Sequence, residues 1–347
     1  MIMMNQKVLV TGANGFVGQS VCPHLVDAKF TVCKAIRRQP ENLPIQEDCQ
    51  IVGDINANTD WSQALVGIDS IVHLAARAHV LNDFVADPLS EYRKINVEGT
   101  VNLAQQAVQA KVRRFIFVSS IKVNGEKTEG TPFTESDEPA PQDAYGISKF
   151  EAEQALRQIA RETGLELVIL RPPLIYGAAV KANFYQLLNT VHRGVPLPLG
   201  KIKNQRSLLY VNAFADAIKA CLVHPNANGK TFLVSDEKSL STPDLITTLG
   251  ESLRRSPRLL NVPVSWMKLG CKVLGKAAAI EKLTSSLVID DSKIRKELSW
   301  SSPYSFDLGM QKTAEWFLAN KSQLNHSGAP LDTSWQPATV PMKTARN

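Results

Sequence analysis

The chain has 347 residues, 44% of them hydrophobic and 21% charged, the balance of a soluble globular protein with a sizeable core. A net charge of +6 suits an anionic small ligand, but no dense Lys/Arg block marks a nucleic-acid surface, and no apolar run reaches the ~18 residues of a spanning helix. Cys22, Cys33, Cys49, Cys221 and Cys271 are scattered without metal-ligand spacing, and Met1 to Lys7 runs straight into an apolar strand without a signal peptide, so a reduced, cytoplasmic protein with no metal site is expected.

Val8-Leu9-Val10 predicts a short buried strand and Gln19 to Lys29 an amphipathic helix. Between them stands Thr11-Gly12-Ala13-Asn14-Gly15-Phe16-Val17-Gly18. Strand, glycine turn, helix is the context of a dinucleotide fingerprint. Gly12 permits the tight turn, Gly15 lets the backbone approach a pyrophosphate, and Gly18 lets helix and strand pack closely. Asn14, Phe16 and Val17 share that turn, and the helix N-terminus offers N–H groups and a positive dipole end to phosphates. Without a ligand, the same stretch is simply a glycine-rich turn.

Phe30 to Ile36 predicts a second strand, ending in Arg37-Arg38. An NAD-binding fold carries an acid there for the ribose 2′-OH. Two arginines stand in its place, and arginine forks onto a 2′-phosphate, so NADP is expected, with NAD as the other option. The alternative is a pair of solvated loop residues. Gln50 to Ile55 predicts a third strand, with Asp54 to receive the adenine amino group and Ile55 beside it; alternatively Asp54 caps a following helix. A fourth strand, Ser70 to Ala76, runs into Leu74-Ala75-Ala76, where small residues let a cofactor lie against the backbone. His73, inside an apolar run, reads as a core histidine. Asp87 as N-cap and Pro88 at the first position open a helix reaching about Gln109. Asn96 and Gly99 within it predict close packing near the sheet or cofactor.

Arg114 to Ser120 predicts a fifth strand, whose polar C-terminal end lies where open α/β sheets place ligands. The loop Ile121 to Asp143 is long enough to be functional. Tyr145 and Lys149 then open a helix to Arg161, and their i, i+4 spacing puts them on one face. A phenol of pKa ~10 is a poor acid or base at neutral pH, and a lysine cation beside it lowers that value. With Ser120 polarising the substrate oxygen, this set suits hydride transfer, Tyr145 exchanging the alcohol proton while a nicotinamide exchanges the hydride. By spacing alone the two are equally an ordinary surface pair.

In this order and spacing, the glycine motif, Asp54, His73-Leu74-Ala75-Ala76, Asn96, Ser119-Ser120 and Tyr145/Lys149 resemble the extended short-chain dehydrogenases/reductases, the NAD-dependent epimerase/dehydratase family, over about residues 7–317. The resemblance implies a Rossmann-type doubly wound α/β parallel sheet (1–172 and 205–236) and a smaller C-terminal substrate-binding α/β lobe (173–204 and 237–320). Leu167 to Gly177 looks like the sixth strand and the crossing into the lobe, with Pro172 at the cofactor. Asn183 sits where relatives contact the nucleotide-sugar, Arg206 where they grip its diphosphate, and Lys122 follows Ser120 as a further substrate contact. Asn212 to His224 predicts a helix and Lys230 to Val234 a late strand. Helices are expected from Pro243 to about Trp316, among them Val264 to Ile280, whose Lys268, Lys272 and Lys276 form one stripe. That stripe reads as the solvated face of a core-packing helix, the other option being contact with an anionic membrane surface. Residues 321–347 turn polar and aperiodic and read as a disordered tail.

Two departures shape the function implied. Ile121-Lys122 stand where 4,6-dehydratases carry an Asp-Glu pair, so dehydration lacks its acid and base. Arg37-Arg38 replace the acid that closes the second strand in epimerases, which argues for a consumed NADPH. The reading is reduction at carbon 4 of a UDP-linked 4-keto-6-deoxy-N-acetylhexosamine for surface polysaccharide synthesis. The alternative is 4-epimerisation of a UDP-hexose or UDP-N-acetylhexosamine. A rival of another class is a non-catalytic NADP sensor, which would not need Ser120, Tyr145 and Lys149. A homodimer through the helices at about 88–109 and 145–161 is the family expectation.

Overall fold

A computed structural model describes residues 6–38, 48–78, 87–273 and 277–327. Its strands are β1 (Lys7–Thr11), β2 (Thr31–Ile36), β3 (Cys49–Ile51), β4 (Ser70–His73), β5 (Arg114–Val118), β6 (Glu166–Arg171), β7 (Leu174–Tyr176), β8 (Leu208–Tyr210) and β9 (Thr231–Leu233). Its helices are α1 (Gly18–Asp27), α2 (Pro88–Arg93), α3 (Gly99–Gln109), α4 (Ala144–Thr163), α5 (Ala182–His192), α6 (Val211–Val223), α7 (Thr242–Ser252), α8 (Val264–Val273), α9 (Ala277–Thr284), α10 (Ser292–Leu298) and α11 (Phe306–Ser327).

Seven strands form one parallel sheet in the order β3-β2-β1-β4-β5-β6-β9. Chain order reverses between β1 and β4, so the C-terminal ends of those two strands flank the crevice where such sheets bind ligands. Both faces are covered, which is why β1 and β5 are continuous apolar runs rather than alternating ones. Along β1 the side chains still part by face. Leu9 joins Ile71, Phe115, Phe117, Leu103 and Leu156 beneath α3 and α4. Val8 and Val10 join Val21, Leu25 and Phe214 of α1 and α6, and this cluster runs on without a break to Tyr176, Phe184, Met310 and Phe317. β7, α5 and α11 thus share their core with one face of the sheet. β7 and β8 pair with each other outside the main sheet.

His73 is a core histidine: its Nδ1 meets Thr11 Oγ1 at 2.7 Å, its Nε2 meets Thr100 Oγ1 at 2.9 Å, and burial first, then Lys149, push its pKa down to about 3. Other elements differ from their expected bounds. β3 stops at Ile51 because Gly53 turns the chain at φ +72°, and the Asp54 carbonyl is taken by Thr59 Oγ1 at 2.9 Å and Asn56 Nδ2 at 3.2 Å. The helix opened by Asp87, whose carboxylate accepts from Ser90 N, passes through a π turn at Lys94–Glu98 before α3. In the 264–280 stretch, residues 264–273 (α8) and 277–280 (the start of α9) are helical; residues 274–276, Lys276 among them, and the side chain of Lys272 lie outside the described residues. On α8, Met267 is buried and Lys268 exposed as expected, but Trp266 and Leu269 are also 72% and 67% exposed. The expected disordered tail from 321 begins too early: α11 continues to Ser327, because Met310, Ala314 and Phe317 dock it and Lys321 Nζ lies 5.7 Å over the Phe317 ring. Residues 328–347 of that tail lie outside the described residues.

Candidate active site

The glycine turn is pressed between β4 and α1. Gly12 adopts φ +67°, and a Cβ there would come within 2.9 Å of Ala75 N. That same N–H donates to Thr11 Oγ1 at 3.2 Å. A Cβ at Gly18 would lie 2.3 Å from Gly12 O, so α1 closes directly on the turn. At Gly15 an added Cβ meets only Gly12 O, at 3.0 Å; the rest of its surroundings are open. α1 begins without a side-chain cap and without an acid in its first turn, which keeps its N-terminus positive. A cradle of this form fits a pyrophosphate. Asn14 lies exposed on the turn, with its carbonyl accepting from Gln19 Nε2 at 3.2 Å, and Phe16 and Val17 are half-buried beside it. Leu74, Ala75 and Ala76 line the opposite bank, also half-buried.

Arg37 and Arg38 follow β2 and are exposed, and Arg37 Nη1 is 3.6 Å from Asp54 Oδ1 with the two side chains 70% and 65% exposed. Asp54 opens a turn rather than a helix, which removes its capping alternative. Ile55 packs under α3: a Cβ at Gly99 would be 2.6 Å from Ile55 Cγ2, which is why a glycine stands there. Asn96 commits its amide within the protein, donating to Ser148 Oγ at 3.0 Å and Arg77 O at 3.1 Å and accepting from Arg77 N at 2.8 Å. It ties the strand-end segment after β4 to α4.

At the next strand end, Ser120 has extended backbone and its Oγ accepts from Lys122 N at 3.3 Å. Ile121 N donates to Pro172 O at 3.0 Å, holding the ends of β5 and β6 together. α4 opens under Asp143, whose Oδ1 accepts from Gly146 N at 2.7 Å. This places half-buried Tyr145 edge-on to Tyr92 at 6.2 Å and in hydrogen-bond contact with Ser120. Burial pushes the Tyr145 phenol above its ordinary value, Asp143 and Tyr92 add to the rise, and the Ser120 hydrogen bond opposes it. One turn on, Lys149 is 2% exposed, with Nζ donating to Val118 O at 2.8 Å and 4.5 Å over the Phe117 ring. Burial brings its pKa down to about 7 against the pull of Glu153. The expectation that Lys149 lowers the phenol is therefore not met in this arrangement: the ammonium is spent on Val118 O, and Ser120 is the group that favours the phenolate.

Lys122 is clamped by Asp143 and by Glu126, the latter at 2.9 Å, and these bonds outweigh its burial and raise its pKa. Arg206 lies in a strand-like segment bridged to Leu240 on one side and Leu287 on the other, with Nη1 donating to Ser285 O at 3.2 Å. Burial lowers its pKa and Glu126 opposes, which brings it to the same loop as Lys122. Asn183 stands exposed in the first turn of α5. Sequence reasoning missed the support beneath: buried Glu153 accepts from Ser119 Oγ at 2.6 Å and from Arg171 Nε at 2.8 Å, and Arg171 Nη1 donates to Asn124 Oδ1 at 2.9 Å. Two signals were available, the spacing of Glu153 four residues after Lys149 and an arginine closing the apolar run of β6. No group of His, Cys, Asp and Glu suited to a metal occurs among the described residues.

The model of a family described as NAD dependent epimerase/dehydratase matches residues 8–235. A Vibrio cholerae protein named UDP-glucose 4-epimerase is 43% identical, over 91% of this chain and 96% of its own. An Escherichia coli O157:H7 protein, N-acetyl-alpha-D-glucosaminyl-diphospho-ditrans,octacis-undecaprenol 4-epimerase, is 28% identical over 90% of this chain and 96% of its own. Among solved structures, UDP-glucuronic acid 4-epimerase from Bacillus cereus in complex with NAD superposes with a TM-score of 0.74 at 23% identity, covering 91% of this chain and 97% of that one. The structural likeness establishes the shared fold.

Proposed function

We propose, from the premise that this chain belongs to the NAD dependent epimerase/dehydratase family, that it interconverts the C4 epimers of a UDP-linked hexose. The observation that carries this reading is the 43% identity to a UDP-glucose 4-epimerase across nearly the whole of both chains. Both relatives described above are 4-epimerases, so epimerisation stands ahead of the 4-keto reduction expected from Arg37 and Arg38. Dehydration is disfavoured by Ile121-Lys122, since the carboxylates that reach this turn, Asp143 and Glu126, are held by Lys122.

A nicotinamide dinucleotide, when bound, supplies the hydride acceptor and donor, and the glycine turn and the N-terminus of α1 would hold its pyrophosphate. The residues of the chain manage the proton. Tyr145 takes it from the C4 hydroxyl and returns it to the same oxygen after the sugar has presented its other face. Ser120 stabilises the phenolate that takes the proton and that is restored when the proton is returned, and Lys149 fixes α4 to the end of β5 through Val118. Arg206 and Lys122 are the cations for the diphosphate side of the substrate, with Asn183 entering from α5. Arg37 and Arg38 leave the end of β2 open to a 2′-phosphate, so NADP is accepted beside NAD. The same reading includes a homodimer through α2, α3 and α4.

Incubation with UDP-glucose and NAD or NADP should yield a mixture of the two C4 epimers without net formation of reduced cofactor. Net consumption of NADPH with a UDP-4-keto sugar, and no interconversion of 4-hydroxy epimers, would restore the reductase.

A further inference from the structure

At the far end of the lobe, α5 stops at His192 and is capped by Arg193. The segment after α7 brings Arg255, Ser256 and Arg258 to the same place, and α11 brings Lys321, around a cleft of about 510 Å³. Arg258 is held there through its carbonyl, which accepts from Leu197 N at 2.8 Å. No carboxylate lines the cleft, and among the described residues none of the four cationic side chains makes an ion pair. The cations act on one another: burial, then Arg193 and Arg255, lower the Lys321 ammonium, and burial, then Lys321 and Arg255, lower His192. His192 sits edge-on to Phe317 at 5.6 Å, and its buried Nδ1 has no hydrogen-bond partner.

Four cations around one cleft repel one another until an anion joins them. Arginine forks match phosphate oxygens in pairs, and a histidine ring that gains a proton adds a further donor. We infer that this cleft is a binding site for a phosphate-bearing anion, separate from the nucleotide-sugar and dinucleotide cleft. α5 links the two places: from Asn183 to His192 it spans about 14 Å at the helical rise per residue. An anion gripped at its C-terminal end therefore bears on the helix that presents Asn183 to the substrate side. The inference goes beyond the epimerase reading and does not depend on which sugar is processed. A free phosphate ester and a lipid headgroup share the chemistry recognised.

The full-length protein, saturated with NAD and UDP to fill the catalytic cleft, is titrated calorimetrically with inorganic phosphate and pyrophosphate. It is also floated with phosphatidylglycerol vesicles against phosphatidylcholine vesicles. Arg193→Gln/Arg255→Gln is run beside it, with Arg258→Gln as a second variant and turnover as the check on folding. Binding should weaken at least about tenfold in the double variant, from the loss of two charge-assisted hydrogen-bonding groups, with turnover unchanged. The His192 imidazole signal should titrate at higher pH when the anion is bound. Soluble phosphate alone identifies a free ester, and phosphatidylglycerol alone identifies a headgroup. Binding of neither, or binding that the arginine variants retain, overturns the inference.

Discussion

Two buried cations lie close together beneath the site, and they are treated oppositely. Arg171, 3% exposed, meets Glu153 through two of its nitrogens and Asn124 through a third. Lys149, 2% exposed and one helical turn before Glu153, has a backbone carbonyl and an aromatic face instead of a carboxylate. A buried charge with a full set of partners is fixed in its ionised form, and removing one partner is costly. A buried ammonium with partial partners is held near its titration point. The first arrangement sets the geometry of Ser119, β6 and α4. The second leaves a group whose protonation changes near neutrality beside the tyrosine of the candidate site. Pairing thus separates a charge fixed by its partners from one held near its titration point.

The largest expected effect breaks the paired side. Glu153→Gln should lower stability by about 3–5 kcal/mol, read as a fall in the urea midpoint at unchanged slope, because Arg171 is left buried without its counter-charge. Glu153→Leu/Arg171→Met should recover most of the loss; if it does not, the pair contributes more than charge cancellation. Next comes the site itself. Tyr145→Phe should leave the urea midpoint nearly unchanged and cut turnover by about 10²-fold or more, and turnover like that of the parent chain would remove the phenol from the chemistry.

Lys149 sharpens the contrast through pH. Below pH 7 the ammonium is charged in both folded and unfolded chains, and the cost of burying it is fully present. Between its folded pKa of about 7 and the ordinary 10.5, the unfolded chain holds the proton that the folded one has released, so stability should climb with pH. Lys149→Met should flatten that climb in urea titrations of the cofactor-free protein at pH 7 and 9.5; an unchanged slope would place the pH dependence elsewhere. The smallest effect belongs to fully wetted charges. Arg37→Ala/Arg38→Ala should shift the ratio of NADP to NAD affinity by about tenfold or less, since solvent screens side chains this exposed. An unaltered ratio would leave the two arginines as solvated loop residues.

The sheet was legible because parallel strands buried on both faces write continuous apolar runs, and the glycine turn because Gly12 and Gly18 answer contacts that only backbone can make. Tyr145, Lys149 and Ser120 were legible because spacing alone puts two on one helix face and the third at a strand end. The support beneath them was not, because Arg171 and Glu153 are eighteen positions apart and meet only once α4 lies across β6. Direction of reaction is not legible in Arg37 and Arg38 for a related reason. Charge at a strand end says which phosphate a loop can meet, not whether the hydride returns to the molecule it left. The end of α11 was set too early because its last turns are polar, and the ring of Phe317 that Lys321 covers cannot be seen from local composition.

The sheet's closing strand has a consequence for how the protein is made. β6 acquires its outer neighbour only when β9 is added, after β7, α5, β8 and α6 have been synthesised. Throughout that interval a growing chain carries Ile169, Leu170 and Arg171 on an open strand edge, the kind of surface that recruits other chains. Arrival of β9 seals the edge, and Arg157, reaching from α4 to Thr231 Oγ1 at 2.6 Å, clips the new strand to a helix completed long before. Slowed elongation before residue 233 would lengthen this exposure, and clustered rare codons between 172 and 230 should raise the aggregated fraction on expression without altering the protein that escapes it.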